Sequence, residues 1–223
     1  MLENKITQVE DYVKSVMSNE VAHDFKHVDR VRNWALKIAK EEKFINLELV
    51  EIAALMHDIG MSRAEKRSQH GEVGAEMAID FLRKNNFLTP KEIAEVANAI
   101  KYHNKNREGE GQLLEIIRDA DMMDMFGSIG IMRAFTSQSV KSEYDVANVK
   151  GDTWGMTAKD FDKRFDKGVG VGPFIVDQIN FQISCYDNLS TECAKQQAKS
   201  LVDFMREFVL NLETDISIKN SSN

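Results

Sequence analysis

The chain has 223 residues, of which 43% are hydrophobic and 29% charged, with a formal net charge of −7. That apolar share supports one sizeable core and excludes disorder over most of the length. The acidic balance argues against a general binder of phosphate backbones, so no nucleic-acid partner is expected. The longest uninterrupted apolar run, Ile52–Met56, falls far short of the roughly 18 residues a membrane span requires, and no signal peptide is read in the segment after Met1. Cys185 and Cys193 form neither a disulfide framework nor a zinc–cysteine pattern, which makes a reducing, cytoplasmic setting the expectation.

Two prolines and an absence of glycine before Gly60 leave little to interrupt helices in the first part of the chain. Ile6, Val9, Val13 and Val16 recur at helical spacing, and Val28, Val31, Ala35 and Ile38 repeat the pattern. Leu49 to Ile59 is apolar nearly all round and predicts a buried helix that stops at Gly60. Val73, Met77, Phe81 and Leu82 mark a fourth helix. Thr89, Pro90 and Glu92 form a capping box that starts a fifth, with Ile93, Val96, Ala97 and Ile100 as its buried stripe. A sixth helix is expected from about Leu113 to Met125 and a short seventh from Gly127 to Phe135.

Residues 137–172, rich in Gly, Asp and Lys, read as an irregular excursion. Carboxy-terminal helices follow over 173–215, the clearest from about Thr191 to Leu212, and 216–223 form a polar tail. Strand alternation is nowhere persuasive. The expectation is an all-α, single-domain helical bundle over 1–215, with its chemistry-bearing motifs in 20–135. The apolar positions Leu201, Phe204, Met205 and Phe208 read as core, with a homodimer contact as the alternative.

The placement of the histidines is more informative than their number. His23 and His27 stand at i and i+4 around a cap at Asp24. His57 adjoins Asp58 at the end of the buried third helix, His70 opens the fourth, and His103 closes the fifth. Ionisable groups at the edge of an apolar core cost several kcal/mol unless compensated, and a divalent cation compensates imidazole and carboxylate together. Asp121 and Asp124, embedded among Ile116, Ile117 and methionines, share a helix face, whereas Asp119 points elsewhere. Mixed imidazole and carboxylate donors suit Mn, Fe, Co, Ni or Zn better than Mg.

The order His27, His57-Asp58, Asp121 resembles the H…HD…D signature of the HD-domain superfamily of metal-dependent phosphohydrolases. The segments HDFKHVDRV (23–31), AALMHDIG (53–60), HGEVGAEMA (70–78), IKYH (100–103) and RDADMMDMFGSIGIMRAF (118–135) are similar to those of small stand-alone bacterial members. The likeness covers about 20–135, and 137–223 match only loosely. It implies a helical bundle with a metal at its centre and His27, His57, Asp58 and Asp121 as primary ligands. His70 and His103 fall where binuclear members place a second metal, with support of the first site or contact to phosphate as the alternative. By the same likeness His23 backs a ligand or faces substrate, and Asp24 and Asp124 are candidates to orient an imidazole N–H.

Departures narrow the subfamily. Met61 stands where HD-GYP phosphodiesterases carry lysine and where the 5′-deoxynucleotidase branch carries an acid, and Met61-Ser62-Arg63 lacks the Glu-Asp pair of (p)ppGpp hydrolases. The implied activity is hydrolysis of a small phosphorylated substrate, with a nucleotide as first choice, by metal-activated water. Asp58 and Asp121 are its catalytic carboxylates and Glu72 a candidate proton donor. Arg30, Lys101, Arg118 and His23 are candidates to hold substrate, with salt bridges to the many acids as the plainer reading of the cations. The rival readings are a di-iron oxygenase on the same fold and a non-catalytic nucleotide-sensing module.

Overall fold

The computed structural model describes residues 4–17, 24–105 and 109–217. Among these residues ten α-helices follow one another: α1 (Lys5–Val16), α2 (Phe25–Glu41), α3 (Leu47–Met56), α4 (His70–Asn85), α5 (Pro90–Tyr102), α6 (Gln112–Met123), α7 (Gly127–Ser137), α8 (Ala158–Asp166), α9 (Ile175–Ser184) and α10 (Glu192–Ser217). Among the described residues there is no strand, only an isolated bridge between Asp145 and Asn148. No helix among them is long and apolar enough to cross a membrane. The fold is all-α.

Local chemistry sets the helix starts. Asn4, Asp24, Asn46 and Thr89 each accept a hydrogen bond from the first turn of α1, α2, α3 and α5. The Thr89–Glu92 capping box is reciprocal: the Glu92 amide donates to Thr89 Oγ1 at 3.3 Å, and the Thr89 amide to Glu92 Oε2 at 2.8 Å.

Three boundaries differ from expectation. The third helix ends at Met56 rather than running to Ile59, and a 3-10 turn follows over Ile59–Ser62. His57 Nδ1 donates to the Ala54 carbonyl at 2.7 Å, and this side-chain bond competes with continuation of the helix. Within the expected excursion, α8 is a regular helix. Its start signal is a Thr157–Asp160 capping box, which composition alone concealed. Finally α10 extends to Ser217, past Leu212 and into the expected tail.

The chain divides into two compact units, one of residues 1–124 with 190–194 and the other of 125–189 with 195–223. In the first, α3 is the central element, with Leu49, Val50 and Ile52 to Met56 all buried. Helix α2 packs on α3 and α6, and α4 runs along α5. Glycine makes one junction possible. A Cβ at Gly60 would overlap the His70 carbonyl oxygen and the Gly74 nitrogen, so the turn after Asp58 lies directly on the start of α4. Buried Asp119 ties in the 190–194 segment by accepting from the Ser190 amide, the Thr191 amide and Thr191 Oγ1, the last two at 2.7 Å.

In the second unit, α7 packs on α9, and α8 rests on α9. Phe161 and Phe165 both meet Phe181 edge to face. The loop before α8 is fastened to α9 by Asp177, which accepts from Thr153 Oγ1 at 2.6 Å, and by Asn180, whose Nδ2 donates to the Lys150 carbonyl at 2.8 Å.

Candidate metal centre

Five segments of the first unit bring side chains to one place: the first turn of α2, the turn after α3, the start of α4, the end of α5 and the last turn of α6. They carry His27, His57-Asp58, His70, His103 and Asp121. Two trios result, His27–His57–Asp121 and Asp58–His70–His103, and within each trio the potential donor atoms all lie within 4.8 Å of one another.

The hydrogen bonds assign the tautomers. His57 Nδ1–H donates to the Ala54 carbonyl at 2.7 Å, His70 Nδ1–H to Arg67 at 2.5 Å and His103 Nδ1–H to Ile100 at 2.7 Å. His27 differs, donating to the carboxylate Oδ2 of Asp124 at 2.7 Å. In that tautomer all four Nε2 atoms are acceptors turned inward, and Asn104 Nδ2 approaches that of His70 at 3.4 Å. His27 Nε2 and His57 Nε2 face each other at 3.2 Å, and His70 Nε2 and His103 Nε2 at 3.1 Å. Two acceptors at that separation repel unless a positive charge lies between them.

Asp58 stands between the two pairs. Its Oδ2 is 3.5 Å from His27 Nε2 and 3.6 Å from His57 Nε2, while its Oδ1 is 3.3 Å from His70 Nε2 and 3.5 Å from His103 Nε2. Asp121 Oδ1 is 3.4 Å from His27 Nε2. Donors about 2.1 Å from a shared ion and 3.1–3.6 Å apart subtend roughly 95–120°, the range of tetrahedral and octahedral coordination. The donor set could hold a divalent metal.

Burial shapes the electrostatics. His57 is held down at about 4 by desolvation, against the opposing pull of Asp58 and Asp121, and burial likewise lowers His70. At His103 burial acts in the same direction but is outweighed by the hydrogen bond and charge of Asp58, so its pKa is raised. Burial would raise Asp121, yet the neighbouring His27 and His57 draw it below its usual value. The Asp121 side chain retains 32% exposure against 4% for Asp58, so solvent reaches the cluster at Asp121.

The other expected residues lie elsewhere. Arg30 forms a bidentate pair with Asp124, Nε to Oδ1 at 2.6 Å and Nη2 to Oδ2 at 3.0 Å, and thereby supports the carboxylate behind His27. Arg118 is not available to substrate as expected, because its buried Nη2 donates to the Tyr102 and Lys105 carbonyls. Glu72 and Lys101 line a groove of about 520 Å³ between α4 and α5, with Glu72 Oε1 3.7 Å from Lys105 Nζ. Each is two residues from a histidine of the cluster, a step of about 200° around a helix, which turns it away from the cluster. His23 lies outside the described residues. The carbonyls of Ala54, Arg67 and Ile100 were not foreseen, and each sits three residues before the histidine it holds.

Residues 24–125 match the family model of the HD domain. The segment is an HD domain. The domain spans all five segments that meet at the cluster. Over 224 residues the chain is 27% identical to the Bacillus subtilis protein YpgQ, covering 94% of this chain and 92% of YpgQ. A predicted HD superfamily hydrolase from an uncultured Thermotogales bacterium is 25% identical and superposes with a TM-score of 0.63, covering 94% of this chain and 91% of that one. A Lactobacillus plantarum protein shares the fold at a TM-score of 0.71 and 21% identity, covering 98% and 100%. YpgQ itself, crystallised in complex with ADP, superposes with a TM-score of 0.63 over 94% of each chain.

Proposed function

We propose that this chain is a metal-dependent phosphohydrolase that cleaves a phosphoester or phosphoanhydride of a small substrate, with nucleotides as the substrate class. One observation carries the reading: the Asp58 carboxylate directs one oxygen to each of two histidine pairs whose Nε2 atoms turn towards it. His27, His57, Asp121 and Asp58 would hold one divalent ion, and His70, His103 and Asp58 a second. A divalent cation supplies Lewis acidity, lowering the pKa of water towards about 7 and polarising phosphoryl oxygens.

The protein's own part is positioning. Three backbone carbonyls and Asp124 fix the four rings with their Nε2 atoms turned to the cluster. Asp121, kept anionic and partly exposed, marks the side from which substrate approaches. Mn, Fe, Co, Ni and Zn suit the mixed donors better than Mg. The similarity to a predicted hydrolase and to YpgQ, which has been crystallised with ADP, supports hydrolysis and a nucleotide substrate.

Elemental analysis of protein purified without chelator, followed by a nucleotide panel with Mn, Co, Ni and Mg, tests the reading. Bound transition metal and metal-dependent release of phosphate or pyrophosphate are expected, and no release from any phosphorylated compound would overturn it. The same six donors also suit a di-iron centre, so iron content with O₂ uptake and no phosphate release would establish the oxygenase alternative.

A further inference from the structure

Helix α2 carries His27 on its first turn and, beyond it, a stripe that the metal centre does not use. Arg30, Asn33, Trp34 and Lys37 line a groove of about 260 Å³. These positions follow the spacing i, i+3, i+4, i+7, and they flank the buried stripe of Val28, Val31, Ala35 and Ile38. Trp34 is half-buried and presents a ring face beneath a cation, with Lys37 Nζ 5.3 Å from its centroid.

From this we infer that the α2 groove is the base-binding part of a nucleotide site, with Trp34 stacking on a purine or pyrimidine. The inference rests on the phosphohydrolase reading and deepens it by assigning the residue that selects a base-bearing substrate.

Three observations converge. First, the groove combines an aromatic face with the cations Arg30 and Lys37, although the whole chain is acidic at −7, and the Asp124 carboxylate beside it is paired with Arg30. A flat ring joined to phosphate is the complementary shape and charge. Second, the groove begins two hydrogen bonds from the metal cluster: His27 Nδ1 meets Asp124, and Asp124 meets Arg30. Arg30 spends Nε and Nη2 on that carboxylate while its side chain stays one-third exposed, which leaves the outer edge of the guanidinium to the groove. Third, Trp34 is seven residues past His27, two helical turns or about 10.5 Å along the axis and on nearly the same face. That rise is comparable to the reach of a nucleoside diphosphate. At this volume the groove admits a single ring system with its sugar, and Asn33 adds an amide at its edge.

The test pairs binding with kinetics on the metal-loaded protein. Titration with AMP should quench tryptophan fluorescence saturably, ribose 5-phosphate should not, and Trp34→Phe should abolish the signal. In turnover, Trp34→Ala should raise the ratio of KM for nucleoside triphosphate to KM for inorganic tripolyphosphate by about ten- to a hundredfold, the loss expected for one base–aromatic stack. Trp34→Phe should restore that ratio to near wild type, which a merely structural defect in Trp34→Ala would not predict. Nucleotide hydrolysis with an unchanged ratio in Trp34→Ala and no AMP quenching would overturn the groove and leave the phosphohydrolase reading intact. AMP quenching through Trp34 in a protein that hydrolyses no phosphorylated compound would uphold the groove and overturn the catalytic reading.

Discussion

Asp124 accepts a hydrogen bond from His27 Nδ1 at 2.7 Å across ninety-seven residues of sequence, and both side chains are buried. Of the four imidazoles in the cluster, His27 alone is backed by a carboxylate, whereas the other three donate to backbone carbonyls. A carboxylate behind an imidazole makes its far nitrogen a stronger donor to a metal. Arg30 holds that carboxylate in place, so Asp124 is not left as an uncompensated buried charge.

Asp124→Asn should therefore weaken metal binding about 10- to 100-fold without unfolding the protein. Competition against a chelator of known affinity, with circular dichroism as the control, measures this. The same substitution should lower catalytic efficiency at limiting metal and be partly rescued by excess metal.

Asp58 is shared between the trios, so its removal should act on both. Asp58→Ala should abolish retention of all transition metal and all turnover. His103→Ala should spare the ion held by His27, His57 and Asp121, because it belongs to the other trio. Metal-to-protein ratios by elemental analysis separate the two outcomes, and equal loss in both variants would mean that the trios do not bind independently.

Acid should destabilise the metal-free protein. The unfolded chain binds a proton at His57 below about pH 6.5, whereas the folded chain does so only near 4. Stability from this group is thus present above 6.5 and lost as pH falls towards 4, by roughly 3 kcal/mol for a shift of that size. His70, also lowered, acts in the same direction, while the raised His103 acts oppositely, its stabilisation full at low pH and lost above its folded pKa. Urea midpoints of EDTA-treated protein between pH 7 and pH 4 should fall, and His57→Gln should flatten the decline.

Gly60→Ala places a methyl group against the backbone of His70 and Gly74, neither of which is a flexible side chain. The turn after Asp58 and the start of α4 must then separate, at a cost of about 1–3 kcal/mol. Thermal unfolding should show the loss. Metal held by Asp58, His70 and His103 should weaken more than metal held by His27, His57 and Asp121.

Asp119 tests a contact remote from the metal donors. Asp119→Ala removes the acceptor of two amides and a hydroxyl in the 190–194 segment, leaving those donors buried without it. A loss of about 3–5 kcal/mol is expected, read from urea unfolding, while metal content per folded chain stays unchanged.

Much of this was legible before any coordinates. Thr89 and Glu92 announced the start of α5, the apolar run to Met56 announced a buried helix, and the spacing of His27, His57-Asp58 and Asp121 announced a mixed donor set. Each depends on residues close in the chain or on residue type, which is the information a sequence carries directly. The outward rotation of Glu72 and Lys101 was also available, since it follows from helical geometry once His70 and His103 are taken as inward. Helix α8 was hidden because Gly, Asp and Lys around it dominate the composition, although Thr157 and Asp160 carry its capping signal.

The amino acids by themselves decided that the chain makes helices, where most of them begin, and which side chains are chemically able to bind a cation. Only the packed structure decided that Asp58 divides its two oxygens between two histidine pairs, that Arg30 serves Asp124, and that Arg118 is consumed by the Tyr102 and Lys105 carbonyls. The physical reason is one of range. Capping and periodicity act within a few residues, whereas a partner for a buried charge can come from any element that packing brings within about 3 Å, and no local pattern names it.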